Sequence, residues 1–222
     1  MTLVREYDPT DVDSIYNYAK KLINHTLRDA ITEELEIGET AAVRLKGKFG
    51  QYLEKYYFGI DNNSDSEPDF KEAGVELKST PLKHLKRGGY SPKERLVLNI
   101  INYDTLAGEN WESSHFLSKN QLLLLVLYLY EKDKNFLDYL IKYVTLWKID
   151  GEDIEIIRQD WEKIVNKVKD GKAHELSEGD TFYLGACRKG HLEGPRKYSS
   201  GSLPAKQRAF SININKPEIP ML

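Results

Sequence analysis

The sequence predicts an α/β fold, and three observations carry that prediction. Apolar residues recur at helical spacing near the N-terminus and again over residues 153–170, short runs rich in branched apolar residues lie between them, and the composition is that of a folded chain. Of the 222 residues, 40% are hydrophobic, 11% aromatic and 30% charged, which is globular rather than disordered, fibrous or disulfide-stapled. That length supports one sizeable hydrophobic core and leaves little for a second, so a single domain over residues 1–222 is expected.

The elements follow in order. Asp8, Pro9 and Thr10 read as a helix start, after which Ile15, Tyr18, Ala19, Leu22 and Ile23 recur at helical spacing. A second helix is expected over residues 44–58, where Leu45, Phe49, Tyr52, Leu53 and Tyr56 form an apolar stripe and Glu54 sits off its centre. Residues 61–67 are polar and turn-rich, a loop that delivers the chain to Pro68 and Asp69. Strands are expected at 75–79, 95–101 and 143–149, while the run 122–130 reads equally as a strand or a buried helix. Ile156, Ile157, Trp161, Ile164, Val165 and Val168 trace a helix that Gly171 is placed to end. Gly, Ser and Pro mark an excursion over 190–204 before a final strand at 210–214, and neither an internal repeat nor an interdomain linker is visible.

Composition also narrows the function classes. A lone cysteine, Cys187, excludes an internal disulfide, and no Cys/His cluster suggests zinc, so a reducing, cytoplasmic setting is expected. The N-terminus lacks the pattern of a signal peptide and the longest apolar run is too short to span a bilayer, so no membrane role is indicated. The net charge of −3 does not favour a polyanionic partner on average. Locally the balance differs: between Ala186 and Lys216 stand Arg188, Lys189, Arg196, Lys197, Lys206, Arg208 and Lys216 against only Glu193.

The segment from Pro68 to Lys78 holds the chemistry. In a strand over 75–79, Glu76 and Lys78 project from one face while Leu77 points to the core. Gly74 lets the chain turn so that Asp69 returns beside them. Two converging carboxylates repel unless a cation lies between them, and oxygen-only ligands suit Mg2+. Lys78 then supplies a positive charge beside the metal to help deprotonate or orient water, and Glu54 from the preceding helix holds a second ion or the water. Asp69, Glu76 and Glu54 are thus the candidate metal ligands, and phosphodiester hydrolysis is the chemistry such a centre supports. A Glu-x-Lys pair alone is common on exposed strands; the complete Pro-Asp, spacer, Glu-Leu-Lys string behind a carboxylate-bearing helix is more specific.

The sequence resembles the MutH-like endonucleases, which comprise the mismatch-repair strand-nicking enzyme and the type II restriction enzymes that cut at GATC. The resemblance rests on KGKFGQYLE (46–54), PDFKEAGVELKSTP (68–81), WESSHFLSK (111–119), QDWEKI (159–164), GKAHELSEGDTFYLGACRKG (171–190) and KQRAFS (206–211). It implies a restriction-endonuclease-like core, a mixed central sheet flanked by helices, with a magnesium site and a DNA-binding cleft. Family catalytic positions fall on Glu54, Asp69, Glu76 and Lys78. Lys46 and Lys119 match lysines near the active site and DNA backbone, and Lys189 matches a base-contacting lysine in a DNA-reading loop; with Lys206 and Arg208 these are the candidate DNA contacts, the loop and C-terminal strand lying within 186–216. Two departures stand out. Cys187 occupies a position where the mismatch-repair enzyme carries arginine, so Arg188 takes over that reach, and Ser211 stands where that enzyme has a tyrosine tied to methylation sensing.

The wording of ERLVLNIINY (94–103) and of the segments over 171–179 and 206–211 points to the restriction branch, whose members carry a second, silent DNA-binding domain. The expectation is therefore a type II restriction endonuclease cutting double-stranded DNA at GATC to leave a 5′-phosphate, as a dimer on DNA or with a C-terminal allosteric domain beyond Leu222. The alternatives are a repair nickase and a DNA-binding module without activity; the latter lacks the catalytic side chains that are present here.

Overall fold

A computed structural model describes residues 6–31, 47–61, 67–189 and 203–213. In chain order the helices are α1 (Val12–Lys20), α2 (Leu27–Ala30), α3 (Lys48–Tyr52), α4 (Tyr103–Leu106), α5 (His115–Asn120) and α6 (Gly151–Lys169). The strands are β1 (Glu76–His84), β2 (Tyr90–Pro92), β3 (Leu96–Ile100), β4 (Leu122–Leu129), β5 (Ile141–Lys148), β6 (Leu184–Arg188) and β7 (Arg208–Ile212). The chain divides into two compact units that alternate along it, one formed by Met1–Glu94, Leu122–Lys148 and Pro220–Leu222, the other by Arg95–Gln121 and Ile149–Ile219.

The first unit holds a mixed sheet ordered β2-β1-β4-β5, in which β1 and β4 are parallel and the other pairs antiparallel. Every residue of β4 except Leu122 and Tyr128 is buried, which explains why its apolar run lacks the alternation of a half-exposed strand. Asp11 caps α1 by accepting the Ser14 N–H, and Ile15 and Ala19 turn inward to a core with Leu22, Leu27, Phe49, Leu53, Leu77, Leu124 and Val126. The helix expected over 44–58 is α-helical only to Tyr52; Leu53–Phe58 forms a π-helical turn, which brings Leu53 and Phe58, five residues apart, into the same core. Arg44 and Leu45 lie outside the described residues.

The second unit carries an antiparallel sheet ordered β3-β7-β6 with α6 against β6. Ile157, Trp161, Ile164, Val165 and Val168 are the buried stripe of α6, as its periodicity predicts, and Gly171 follows its end at φ 74°. Trp111 and Phe116 join Trp161 and Phe210 in an aromatic cluster. Among the described residues no helix is long and apolar enough to cross a membrane. The expected α/β class with a mixed sheet and flanking helices is observed.

Candidate active site

Asp69 and Glu76 are joined by a tight backbone hairpin. Phe70 and Val75 exchange both N–H···O bonds, at 2.9 and 3.2 Å, and Gly74 takes the left-handed conformation (φ 67°) that the intervening turn needs. This closure sets two further bonds. The Asp69 N–H donates to Glu76 Oε2 at 3.0 Å, and the Leu77 N–H donates to Asp69 Oδ2 at 2.9 Å. Each carboxylate therefore holds the backbone beside the other.

Strand alternation places Glu76 and Lys78 on the face opposite Leu77, as expected, and the parallel ladder sets them opposite Leu123 and Leu125. Glu76 is buried at 1% exposure, and the Lys78 ammonium, 19% exposed at the side chain, donates to its Oε1 and to the Leu77 carbonyl at 3.3 Å. A carboxylate taken this far from water needs such a partner, because an unpaired buried charge costs several kcal/mol, on the order of 3–5.

Glu54 comes from the helix that precedes this segment. It opens the π-helical turn, and its Oε1 is 3.9 Å from the point where a Cβ on Gly50 would lie, with Ser79 Oγ 3.2 Å from the same point. Gly50 thus lets α3 approach β1 closely. Ser79 alternates to the face opposite Lys78, and the close approach of α3 positions Glu54 beside β1. Among the described residues no group of three or more His, Cys, Asp or Glu side chains could hold a metal ion. Asp69 and Glu76 still fit magnesium as a pair, since that ion commonly takes one or two carboxylates and completes its shell with water and substrate phosphate. An ionised carboxylate has about four lone-pair sites, so the hydrogen bonds described leave acceptor capacity at both residues.

The candidate DNA contacts distribute as follows. Lys46 lies outside the described residues, as do Arg196, Lys197 and Lys216. Lys119 is half-buried in the last turn of α5, whose N-cap Ser114 accepts the Leu117 N–H and donates to the Trp111 carbonyl. Arg188 and Lys189 are exposed at the end of β6, where the Lys189 N–H donates to the Gln207 carbonyl at 3.0 Å, and Lys206 is exposed before β7. Cys187 is buried at 8% exposure, which leaves Arg188 as the outward-facing neighbour. Arg208 stands directly across from Arg188 but is buried, donating from Nη1 to the Ala186 carbonyl at 2.6 Å. Its side chain supports the β6–β7 pair from within.

Two residues without a role in the sequence reading hold this strand pair. Asp160, 1% exposed on the buried stripe of α6, accepts the N–H groups of Phe182, Tyr183 and Leu184 at 2.6–3.1 Å. Arg95 bridges β6 and β7 through the Tyr183 carbonyl (2.9 Å), the Ser211 carbonyl (2.9 Å) and Ser211 Oγ (3.0 Å), lying over Gly185. Asp160 had a signal: a carboxylate among Ile157, Trp161 and Ile164 demands a polar partner.

The family described as DNA mismatch repair enzyme MutH matches residues 58–160, which include the Asp69–Glu76–Lys78 centre. The type II restriction enzyme Sau3AI of Staphylococcus aureus is 46% identical over 202 residues, 90% of this chain and 40% of that enzyme. This chain belongs to the MutH-like endonuclease family. The DNA mismatch repair protein MutH of Yersinia pestis is 27% identical over 169 residues, 76% of this chain and 72% of that protein. The chain thus spans about two fifths of the restriction relative's length and nearly three quarters of the repair relative's. The mixed sheet carrying Glu76 and Lys78 is the restriction-endonuclease-like core that the MutH-like family implies.

Proposed function

We propose that this MutH-like chain is the catalytic domain of a magnesium-dependent type II restriction endonuclease that cleaves both strands of double-stranded DNA at GATC, leaving a 5′-phosphate. The observation that carries this reading is the Asp69–Glu76 hairpin with Lys78 on the buried carboxylate. The two compact units act in this reading as one catalytic domain, in the cytoplasm.

Asp69 and Glu76 would hold magnesium, which when bound supplies charge neutralisation at the phosphate. The remaining work belongs to the side chains. Lys78 holds a proton-donating ammonium beside Glu76, where it orients water and offsets negative charge that develops on phosphorus. Glu54 is assigned to a second ion or to the water. Lys46, Lys119 and Lys206 are assigned to phosphates, and Arg188 or Lys189 to a guanine edge through the donor-to-acceptor pairing that arginine and lysine make there. Arg208 is assigned to support of the reading strand.

GATC reads identically on its two strands, and one catalytic centre hydrolyses one strand per encounter. Cleavage of both therefore calls for two copies related by a twofold axis on the site, or a further C-terminal domain that recruits a second copy. The restriction reading is preferred to a repair nickase because identity to the restriction relative is 46% against 27% for the repair relative.

Incubation with magnesium and an unmethylated plasmid of known GATC content tests this. Linear fragments ending at GATC with 5′-phosphates are expected. Persistent single nicks without partner proteins would favour the repair reading, and intact plasmid with retained binding would favour a silent DNA-binding module.

A further inference from the structure

Among the described residues of the first unit, the hairpin joining β1 to β2 is the most strongly basic exposed segment, and the proposed chemistry does not use it. Lys83, His84, Lys86 and Arg87 are all exposed, together with Leu85 at 45%. The turn is well formed: Leu85 N–H donates to the Gly89 carbonyl and Gly88 N–H to the Leu85 carbonyl, both at 3.1 Å, with Gly88 and Gly89 at φ 86° and 79°. Those conformations favour glycine, so the turn closes without strain and projects its cations.

Its charge is uncompensated. Elsewhere in the same unit Lys21 pairs with Glu6, Arg28 with Asp138, Lys71 with Glu67 and Lys134 with Glu131. Among the described residues no carboxylate pairs with Lys83, Lys86 or Arg87, in a chain whose net charge is −3. Concentrating unpaired cations on an exposed hairpin in an acidic protein is the electrostatic footprint of a polyanion. The hairpin begins five residues beyond Lys78 on β1, with Lys83 on the strand's other face, so the turn lies about 17 Å or more along the strand from Lys78, about five base pairs of duplex.

We infer that the Lys83–Arg87 hairpin is a sequence-independent clamp on backbone phosphates of duplex DNA, about five or more base pairs from the cut. This rests on the nuclease reading and extends its footprint along β1. Because the cations lie on exposed residues of the strand end and turn, contact with phosphate contributes affinity without choosing the sequence.

The test is the triple variant Lys83→Gln, Lys86→Gln, Arg87→Gln, set beside Lys20→Gln, Lys55→Gln, Lys132→Gln, which removes the same charge elsewhere. Binding to duplexes with about three or about ten base pairs on each side of the site is measured in EDTA over a salt series. The hairpin variant should lower the slope of log Kd against log salt by about 2–3, at about 0.9 per lost phosphate contact. It should also lose the wild-type preference for the longer duplex and show a raised KM with kcat and cut position unchanged. A slope and length preference equal to wild type, or an equal effect in the control variant, overturns the clamp while leaving the nuclease reading intact. A wild-type protein that neither binds nor cuts duplex DNA overturns both.

Discussion

Replacing Asp160 tests whether the strand that carries Arg188 and Lys189 is held by a buried carboxylate. The carboxylate takes three consecutive N–H groups, from Phe182, Tyr183 and Leu184, at 2.6–3.1 Å. In Asp160→Ala the Leu184 N–H, in a buried bond, is orphaned at a cost of about 1–3 kcal/mol. The donors of Phe182 and Tyr183 lose charge-assisted bonds of about 1.5–3 kcal/mol each, and solvent recovers much of this because Phe182 is 53% exposed. The total is about 3–5 kcal/mol, which for a chain of this size lowers Tm by roughly 6–20 °C. Asp160→Asn keeps one acceptor oxygen, so its loss should be about 1–2 kcal/mol. Thermal unfolding followed by circular dichroism measures both, and exchange of the Leu184 amide reports whether the damage is local. A melting point for Asp160→Ala within about 2 °C of wild type would refute the reasoning, since it would mean the three donors find equal partners without the carboxylate.

Glu76→Ala and Asp69→Ala should abolish cleavage with DNA binding still measurable, and Lys78→Ala should cost about 10²–10⁴ in rate; cutting by either carboxylate variant at physiological magnesium would remove these residues from the centre. Gly185→Ala places a Cβ 2.8 Å from Arg95 Nη2, so Arg95 must leave its bonds to Tyr183 and Ser211; a loss of about 1–3 kcal/mol is expected, and adding Arg95→Ala should cost less than the sum of the two single changes. At Asp180, burial pushes the carboxyl pKa up, but the Lys167 hydrogen bond, the Ser177 N–H and the charges of Lys167 and Arg208 outweigh it and leave it below its ordinary 3.8. A folded-state pKa that is depressed contributes stability above pH 3.8 that is lost as pH falls through the folded value. Lys167→Met should therefore raise the Asp180 pKa in an NMR titration and narrow its stability gap to wild type in acid.

The placement of Asp69, Glu76 and Lys78 beside one another was legible in the sequence because its determinants are local. Alternation fixes the shared face of Glu76 and Lys78 whatever the tertiary context, and Gly74 marks a turn whose left-handed backbone the structure contains. The β4 run was ambiguous for a physical reason: a strand buried on both faces presents no alternation to read. The π-helical turn at Leu53–Phe58 escaped because five-residue spacing is hidden within an ordinary apolar stripe. Arg208 looked like a surface cation in KQRAFS, and its burial depends on an acceptor, the Ala186 carbonyl, that comes from another strand. Asp160 and Arg95 likewise act on backbone 22 to 116 residues away, a distance over which periodicity carries no information. The two units alternate along the chain, so no linker composition marks where one gives way to the other.

The crossed bonds between Asp69 and Glu76 alter how any ligand scan of this centre should be read. Glu76 fixes the peptide N–H of Asp69, and Asp69 fixes that of Leu77, so shortening one side chain also frees the main chain under its counterpart. Each single alanine change then removes its own oxygen atoms and misplaces the other pair. The two penalties should overlap heavily, with the double variant scarcely worse than either single one. Free energies assigned to the residues one at a time would count the same loss twice, and the thermodynamic element of this centre is the closed hairpin as a whole.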